Sequence, residues 1–333
     1  MDIFPELRII REARKLLDQY LPVTRTIPAR SLSRPGMPVH LKIETDLPTS
    51  SFKPRGALYA LAVNLARRRV EEVTASSTGN HGAAVAFAAK TLGVPATIFL
   101  PTNPNPVKRQ KISDLGARIV ESGAGDLAGA FQQTKAYSSR PGVYFLNDAT
   151  DPDVPVGTAT IGLEIVQQMI AQQMIVQQMT AQQIPPLSTV YVPMGDTALI
   201  RGVAAAIKHL VPNVAIVGVQ AERAPSYYLS WKEGRATPTD TCDTCADGLA
   251  TRTPDPHNVQ VIRQLVDDVV LVSEEQMMHA IAHLYKEEGV LAEPAGAAAT
   301  AAFLAKPQHK GSVVLLITGA NISEDVRRRV GLS

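Results

Sequence analysis

From residue 72 to residue 317, short apolar runs alternate with segments of helical spacing, and this alternation restricts the chain to parallel α/β architecture. Residues 73–76, 96–100, 118–121 and 143–145 read as strands, with helices over 82–92, 106–115 and 126–137 between them. A second block repeats the pattern, with strands at 189–192, 215–220, 269–272 and 313–317. Another buried strand is expected at 40–43, ahead of both blocks. Two α/β lobes follow, each a mostly parallel sheet flanked by helices, joined near residues 149–155. At 333 residues the chain is long enough to give each lobe its own core. Ligands in such folds sit beyond the carboxyl ends of the strands.

The formal net charge of +2 provides no basic field for nucleic acid or an anionic membrane. No apolar run is long enough to span a bilayer, so no membrane partner is expected. Residues 1–20 are amphipathic and charged, without a signal-peptide apolar block, which predicts a cytoplasmic protein. Cys242 and Cys245 form one Cys-x-x-Cys among Thr and Asp, with no second pair to complete a zinc site. Reduced, unpaired thiols and no bound metal are expected.

Between the first strand and an Ala/Leu-rich helical segment lies Ser51-Phe52-Lys53-Pro54-Arg55-Gly56-Ala57. Proline suits the first helical position, because its missing N–H has no partner there. Lys53 then sits at a helix N-terminus, where the dipole disfavours a cation and is expected to lower the amine's pKa. A neutral amine is a nucleophile. Taken alone, Lys53 reads as an exposed loop lysine; three further loops change that. Ser76-Ser77-Thr78-Gly79-Asn80-His81-Gly82 offers small residues and backbone N–H groups at a helix start, an anion site. Pro193-Met194-Gly195-Asp196-Thr197-Ala198-Leu199 repeats the strand, small-residue loop and helix order, and Thr318-Gly319-Ala320-Asn321 puts a hydroxyl at a strand's end.

Carried by these motifs, the sequence resembles the fold-type II pyridoxal-phosphate enzymes, whose architecture is tryptophan synthase β-like. Within them it looks most like the serine/threonine dehydratase and serine racemase group. The resemblance runs over nearly the whole chain and includes Ala246-Asp247-Gly248 and Glu293-Pro294-Ala295-Gly296-Ala297-Ala298. It implies a large cofactor-binding domain made of residues 1–70 and 149–333, and a small substrate-loop domain of residues 71–148. It implies that Lys53 binds pyridoxal 5'-phosphate covalently and then shuttles the α-proton. The loop Ser77, Thr78, Gly79, Asn80 and His81 would bind the substrate carboxylate, with Asn80 near the cofactor's 3-oxygen. Gly195, Asp196, Thr197, Ala198 and Leu199 would hold the phosphate, and Thr318 would face the pyridine nitrogen. A neutral hydroxyl there leaves the ring a weaker electron sink than a carboxylate would. That favours β-elimination: an L-β-hydroxy-α-amino acid such as serine or threonine gives a 2-keto acid and ammonia. A homodimer or homotetramer acting on a small amino acid is implied.

The departures from the family pattern matter. Asp196, Thr197 and Ala198 stand where the phosphate loop usually has glycines, so these side chains are expected to point outward, leaving the backbone amides to the phosphate. Thr78 replaces the racemases' serine, their acid/base on the second face, so racemisation is possible and not favoured. Glu222 matches a carboxylate that some members use for a divalent cation, but Tyr227-Tyr228 stand where its partner is expected, so no such site is expected. With no regulatory domain after Leu332, a feedback-controlled form is not expected. β-Replacement is the alternative reaction, and a non-catalytic binding protein a more distant one. A nicotinamide site is the remaining rival, since Gly123-Ala124-Gly125-Asp126-Leu127-Ala128 fits Gly-x-Gly-x-x-Ala with Asp148 downstream. Residues 165–184 read IVQQM-IAQQM-IVQQM-TAQQI, a five-residue unit in four copies. Each copy turns about 140° from the last on a helix, so no apolar stripe persists. A tolerated lengthening of an existing helix is expected, with an oligomerisation helix as the alternative.

Overall fold

A computed structural model of the chain describes residues 4–77, 79–102, 106–121, 123, 127–180, 184–307 and 310–332. In chain order its strands are β1 (Thr26–Pro28), β2 (Val39–Ile43), β3 (Glu72–Ser76), β4 (Ala96–Leu100) and β5 (Arg118–Glu121). They continue with β6 (Val143–Phe145), β7 (Leu187–Pro193), β8 (Ala215–Ala221), β9 (Asp268–Val272) and β10 (Ser312–Ile317). They form two sheets. The larger has the order β1-β2-β10-β7-β8-β9 and the smaller β5-β4-β3-β6. Every pairing is parallel except β1 with β2, in register Ile27 to Leu41. Each expected strand is present, lengthened by up to two residues at an end.

The larger sheet is buried on both faces, as parallel sheets must be. Leu41, Leu315, Tyr191 and Val219 pack one face against the helices Glu274–Glu288 and Pro294–Ala305. Val190, Val192, Val314 and Leu316 pack the other face against Val154–Thr180, Ala198–Leu210 and Pro256–Leu265. Val73, Ala75, Ile98 and Leu100 of the smaller sheet join Leu58 and Leu61 of the helix Pro54–Arg67 in a further core. That helix lies so close to Val154–Thr180 that a Cβ at Gly157 would stand 2.3 Å from the Arg55 carbonyl oxygen. Only glycine permits this approach.

The pentad repeat begins inside the core and ends outside it. Ile165, Val166 and Met169 are buried, whereas Ile170, Met174 and Ile175 are exposed and Met179 is 79% exposed. All belong to one helix, Val154–Thr180, which carries the chain past the sheet. Gln168 of the first copy and Gln172 of the second donate to the carbonyls of Thr24 and Thr26 at 2.8 and 3.1 Å, so the second copy still touches the body through Gln172.

Candidate active site

Five parallel strands deliver their carboxyl-terminal loops to one cleft of about 660 Å³, its open mouth included. β2 leads to Lys53, β3 to Asn80 and His81, β6 to Asp148, β7 to residues 195–199, and β10 to Thr318, all of which line it. Helix Pro54–Arg67 starts at Pro54 with Lys53 as its N-cap, as the sequence predicts. The expected loss of the lysine's proton is not found. Lys53 Nζ donates to Asp148 Oδ2 at 2.5 Å. Burial pulls the amine's pKa down, but the charge and hydrogen bond of Asp148, with Asp196 and Glu293 behind it, outweigh that and raise it. A helix dipole acts as about half a charge, and a touching carboxylate carries a whole one. Lys53 stands in the cleft as an ammonium.

Asp148 lies just beyond β6. Burial pushes its carboxyl up, but His81 and Lys53 hold it well below the usual range. His81 is fixed by Nε2, 2.9 Å from the Leu146 carbonyl, with Nδ1 3.5 Å from Asp148 Oδ2. Burial lowers the imidazole's pKa. In the loop after β3, Ser77 Oγ accepts from the Gly79 N–H at 3.1 Å. Thr78 lies outside the described residues. Asn80 is held at both ends: Nδ2 donates to Glu293 Oε1 at 2.5 Å, and Oδ1 accepts from Asn321 Nδ2 at 2.6 Å. Lys111 Nζ completes the chain, donating to Asn321 Oδ1 at 2.7 Å.

The turn 195–199 has the marks of an anion cup. A Cβ on Gly195 would lie 2.1 Å from the Gly248 carbonyl oxygen, so the backbone is bare there by necessity. Thr197 takes a left-handed conformation, φ 69°, which costs a β-branched residue about 1–2 kcal/mol. Its hydroxyl is buried with no hydrogen-bond partner among the described residues. Helix Ala198–Leu210 begins immediately after, and its first-turn amides have no partners within the helix. An orphaned hydroxyl, free amides and a dipole's positive end fit a phosphate.

Asp196 departs from expectation. Its side chain faces inward, lines the cleft, and accepts from Thr251 Oγ1 at 3.0 Å. That hydroxyl, from a distant loop, holds it there. Burial first and the charge of Asp148 second push its carboxyl up to about 6, against Lys53, Thr251 and Arg201. Below that pH Asp196 is neutral and compatible with a phosphate; above it, an anion faces an anion. Affinity for a phosphate ligand that cannot react with Lys53, such as pyridoxine 5'-phosphate, is therefore expected to fall as pH rises from about 5.5 to 8, and Asp196→Asn to flatten the profile with tighter binding at pH 8. Equilibrium titration with that ligand at several pH values checks this, and an Asn variant that retains the wild-type slope contradicts it.

Sequence reasoning missed three members of the site. In the sequence Glu293 stands only as part of a motif, Thr251 carries no signal, and Asp148 reads only as the downstream acid of the nicotinamide motif. The glycine stretch of that reading lies largely outside the described residues. Asp148 could have been found by the rule that picked out the other loops, since it follows a parallel strand's carboxyl end.

The model of a family described as "Pyridoxal-phosphate dependent enzyme" matches residues 17–319. The chain belongs to this family. An L-threonine ammonia-lyase of Thermotoga maritima is 35% identical over 326 residues, covering 97% of this chain and 77% of that one. Among solved structures, maize serine racemase superposes with a TM-score of 0.87 at 26% identity, over 97% of this chain and 96% of that one. The processed form of threonine deaminase isoform 2 from Solanum lycopersicum gives 0.84 at 28% identity, over 97% and 86%. The fold is that of the fold-type II pyridoxal-phosphate enzymes, and pyridoxal phosphate is the cofactor.

Proposed function

We propose that the chain is a pyridoxal-phosphate-dependent ammonia-lyase that converts an L-β-hydroxy-α-amino acid, threonine or serine, to a 2-keto acid and ammonia. The observation that carries this is the lysine at the helix start, Lys53, facing the same cleft as the amide-lined turn 195–199 and the Thr318 hydroxyl. The likeness to an L-threonine ammonia-lyase supports the substrate class. Bound pyridoxal phosphate supplies an aldehyde for amines and an electron sink for the adjacent carbon. Lys53 would carry it, the turn from Gly195 through Asp196, Thr197 and Ala198 to Leu199 would hold its phosphate, and Thr318 would serve its ring nitrogen. Ser77, Thr78, Gly79, Asn80 and His81 take the substrate carboxylate, with Asn80, oriented by Glu293 and Asn321, also close to the ring. Lys53 Nζ takes the proton from the substrate's Cα. The electron pair becomes the Cα–Cβ double bond as the Cβ–O bond breaks, and the hydroxyl leaves with a proton as water; the released enamine tautomerises to an imine, and a water molecule hydrolyses its C=N bond to give the 2-keto acid and ammonia.

On this reading residues 1–70 and 149–333 are the cofactor domain and residues 71–148 the substrate-loop domain. The enzyme works in the cytoplasm as a homodimer or homotetramer. The test is keto-acid release from serine, threonine, 3-hydroxyaspartate and phenylserine. The expected result is steady turnover on at least one of the first two with no second substrate. Product that forms only when a second nucleophile is added makes the enzyme a β-replacement catalyst instead.

A further inference from the structure

We infer that Asp148 is the residue that sets the protonation and aim of the Lys53 amine, an inference resting on the reading of Lys53 as the cofactor-bearing lysine. Asp148 Oδ2 is 2.5 Å from Lys53 Nζ and 3.5 Å from His81 Nδ1. His81 is tied through its other nitrogen to the Leu146 carbonyl, which fixes the ring's position beside the carboxylate. The charged and titratable groups facing Lys53 come from four elements. They are Asp148 after β6, His81 from the helix Asn80–Leu92, Asp196 in the turn after β7, and Glu293 capping the helix Pro294–Ala305. Glu293 is engaged by Asn80 and Asp196 by Thr251, and Asp148 is the carboxylate in contact with the amine.

The lysine has two tasks with opposite needs. It must be neutral to capture an aldehyde or take the Cα proton, and an ammonium to give a proton to the departing hydroxyl. An ionised carboxylate against Nζ favours the second state and holds the amine at one point of the cleft wall. With its pKa held well below the ordinary carboxylate range, Asp148 is too weak a base to take the Cα proton itself. It therefore supports the acid half of the cycle at the expense of capture. A merely structural residue would not produce effects of opposite sign on the two halves.

The test compares the full-length wild type with Asp148→Asn and Asp148→Glu. Competitive acetylation of the cofactor-free chain across pH, read on the Lys53 peptide by mass spectrometry, gives the amine's titration midpoint. Asp148→Asn is expected to lower it by at least about one pH unit, or about tenfold more Lys53 reaction at a given pH. Capture of added pyridoxal phosphate at pH 8 should quicken by a similar factor. Turnover should move the other way, with kcat down roughly 10- to 100-fold and KM within about threefold. Asp148→Glu should restore the midpoint. An unchanged midpoint in folded Asp148→Asn, or a Glu variant that behaves as Asn does, overturns the inference. If Asp148→Asn does not fold, Asp148→Glu decides: a wild-type midpoint supports the inference, and a midpoint fallen to that of an exposed lysine overturns it. Borohydride reduction of the wild type with cofactor is the separate control. A label on another lysine defeats the functional reading without touching the midpoint.

Discussion

Lys53→Ala is expected to abolish covalent cofactor capture and to reduce keto-acid release by at least about a thousandfold. Borohydride reduction and peptide mapping of the wild type should place the pyridoxyl group on the peptide containing Lys53, and the variant should carry none. The loss has two sources. The amine that meets the cofactor is gone, and so is the group that takes the Cα proton. The variant should still fold, since Lys53 caps its helix without a side-chain hydrogen bond to it. Compared without cofactor, it should be less stable than wild type at neutral pH, because Asp148 loses its ammonium partner. The sign follows from the pair. Asp148's folded pKa is depressed, so its stabilisation is present above the ordinary value near 4 and fades as pH falls below it. The stability gap between wild type and variant should therefore narrow in acid. A variant that retains a pyridoxyl label, or turns over within tenfold of wild type, would falsify the assignment.

Most of the scaffold was legible because buried parallel strands are written as near-continuous apolar runs. Residues 96–100 and 313–317 leave no other reading. What was missed has physical reasons. β1 is three residues long, ends in proline, and is antiparallel at the sheet's edge, where pairing to β2 defines it more than composition does. Strand ends were set short because Glu72, Asp268 and Ser312 are polar, yet each is in a ladder. The pentad repeat has the same composition in its first copy, whose Ile165, Val166 and Met169 are buried, and in its third, whose Ile175 and Met179 are exposed. Burial there is decided by where the sheet stops. In the site, local features such as Pro54 before a helical run were readable. Contacts made across long separations were not: Lys53 meets Asp148 over 95 residues, and Thr251 meets Asp196 over 55. The lysine's proton shows the consequence. Local sequence supplies the helix dipole, and tertiary structure supplies the carboxylate that overrides it.

The second large effect is expected two residues beyond the lysine, beneath the cleft floor. Arg55 is fully buried, and its guanidinium bridges two carboxylates, with Nε 2.8 Å from Glu44 Oε2 and Nη1 2.8 Å from Glu164 Oε1. Glu164 also accepts from Lys42 Nζ at 2.6 Å and pairs with Arg14. Thr24 Oγ1 lies 2.7 Å from Glu44 Oε1 and 3.1 Å from Glu164 Oε2, so its one proton can serve either carboxylate. Arg55, Arg14 and Lys42, whose pKa burial lowers to about 7, thus share Glu44 and Glu164 between the helices Leu7–Leu17, Pro54–Arg67 and Val154–Thr180, with Asp18 as a further partner of Arg14. Removing Glu164 leaves Arg55 and Lys42 buried with Glu44 alone, and a broken buried pair costs about 3–5 kcal/mol. Glu164→Ala should lower the free energy of unfolding in urea by about that much. The exposed pair Arg8–Glu12, also at 2.8 Å, should cost under about 1 kcal/mol when Glu12 is replaced by alanine. Glu164→Gln keeps hydrogen-bond acceptance and volume but not charge, so it should fall between them. Because Arg55 sits on the first turn of the helix that Lys53 caps, cofactor retention should fall along with stability in Glu164→Ala. A Glu164→Ala protein with wild-type unfolding midpoint and full cofactor retention would show that the buried cations find other partners, and that the network is not what anchors this helix.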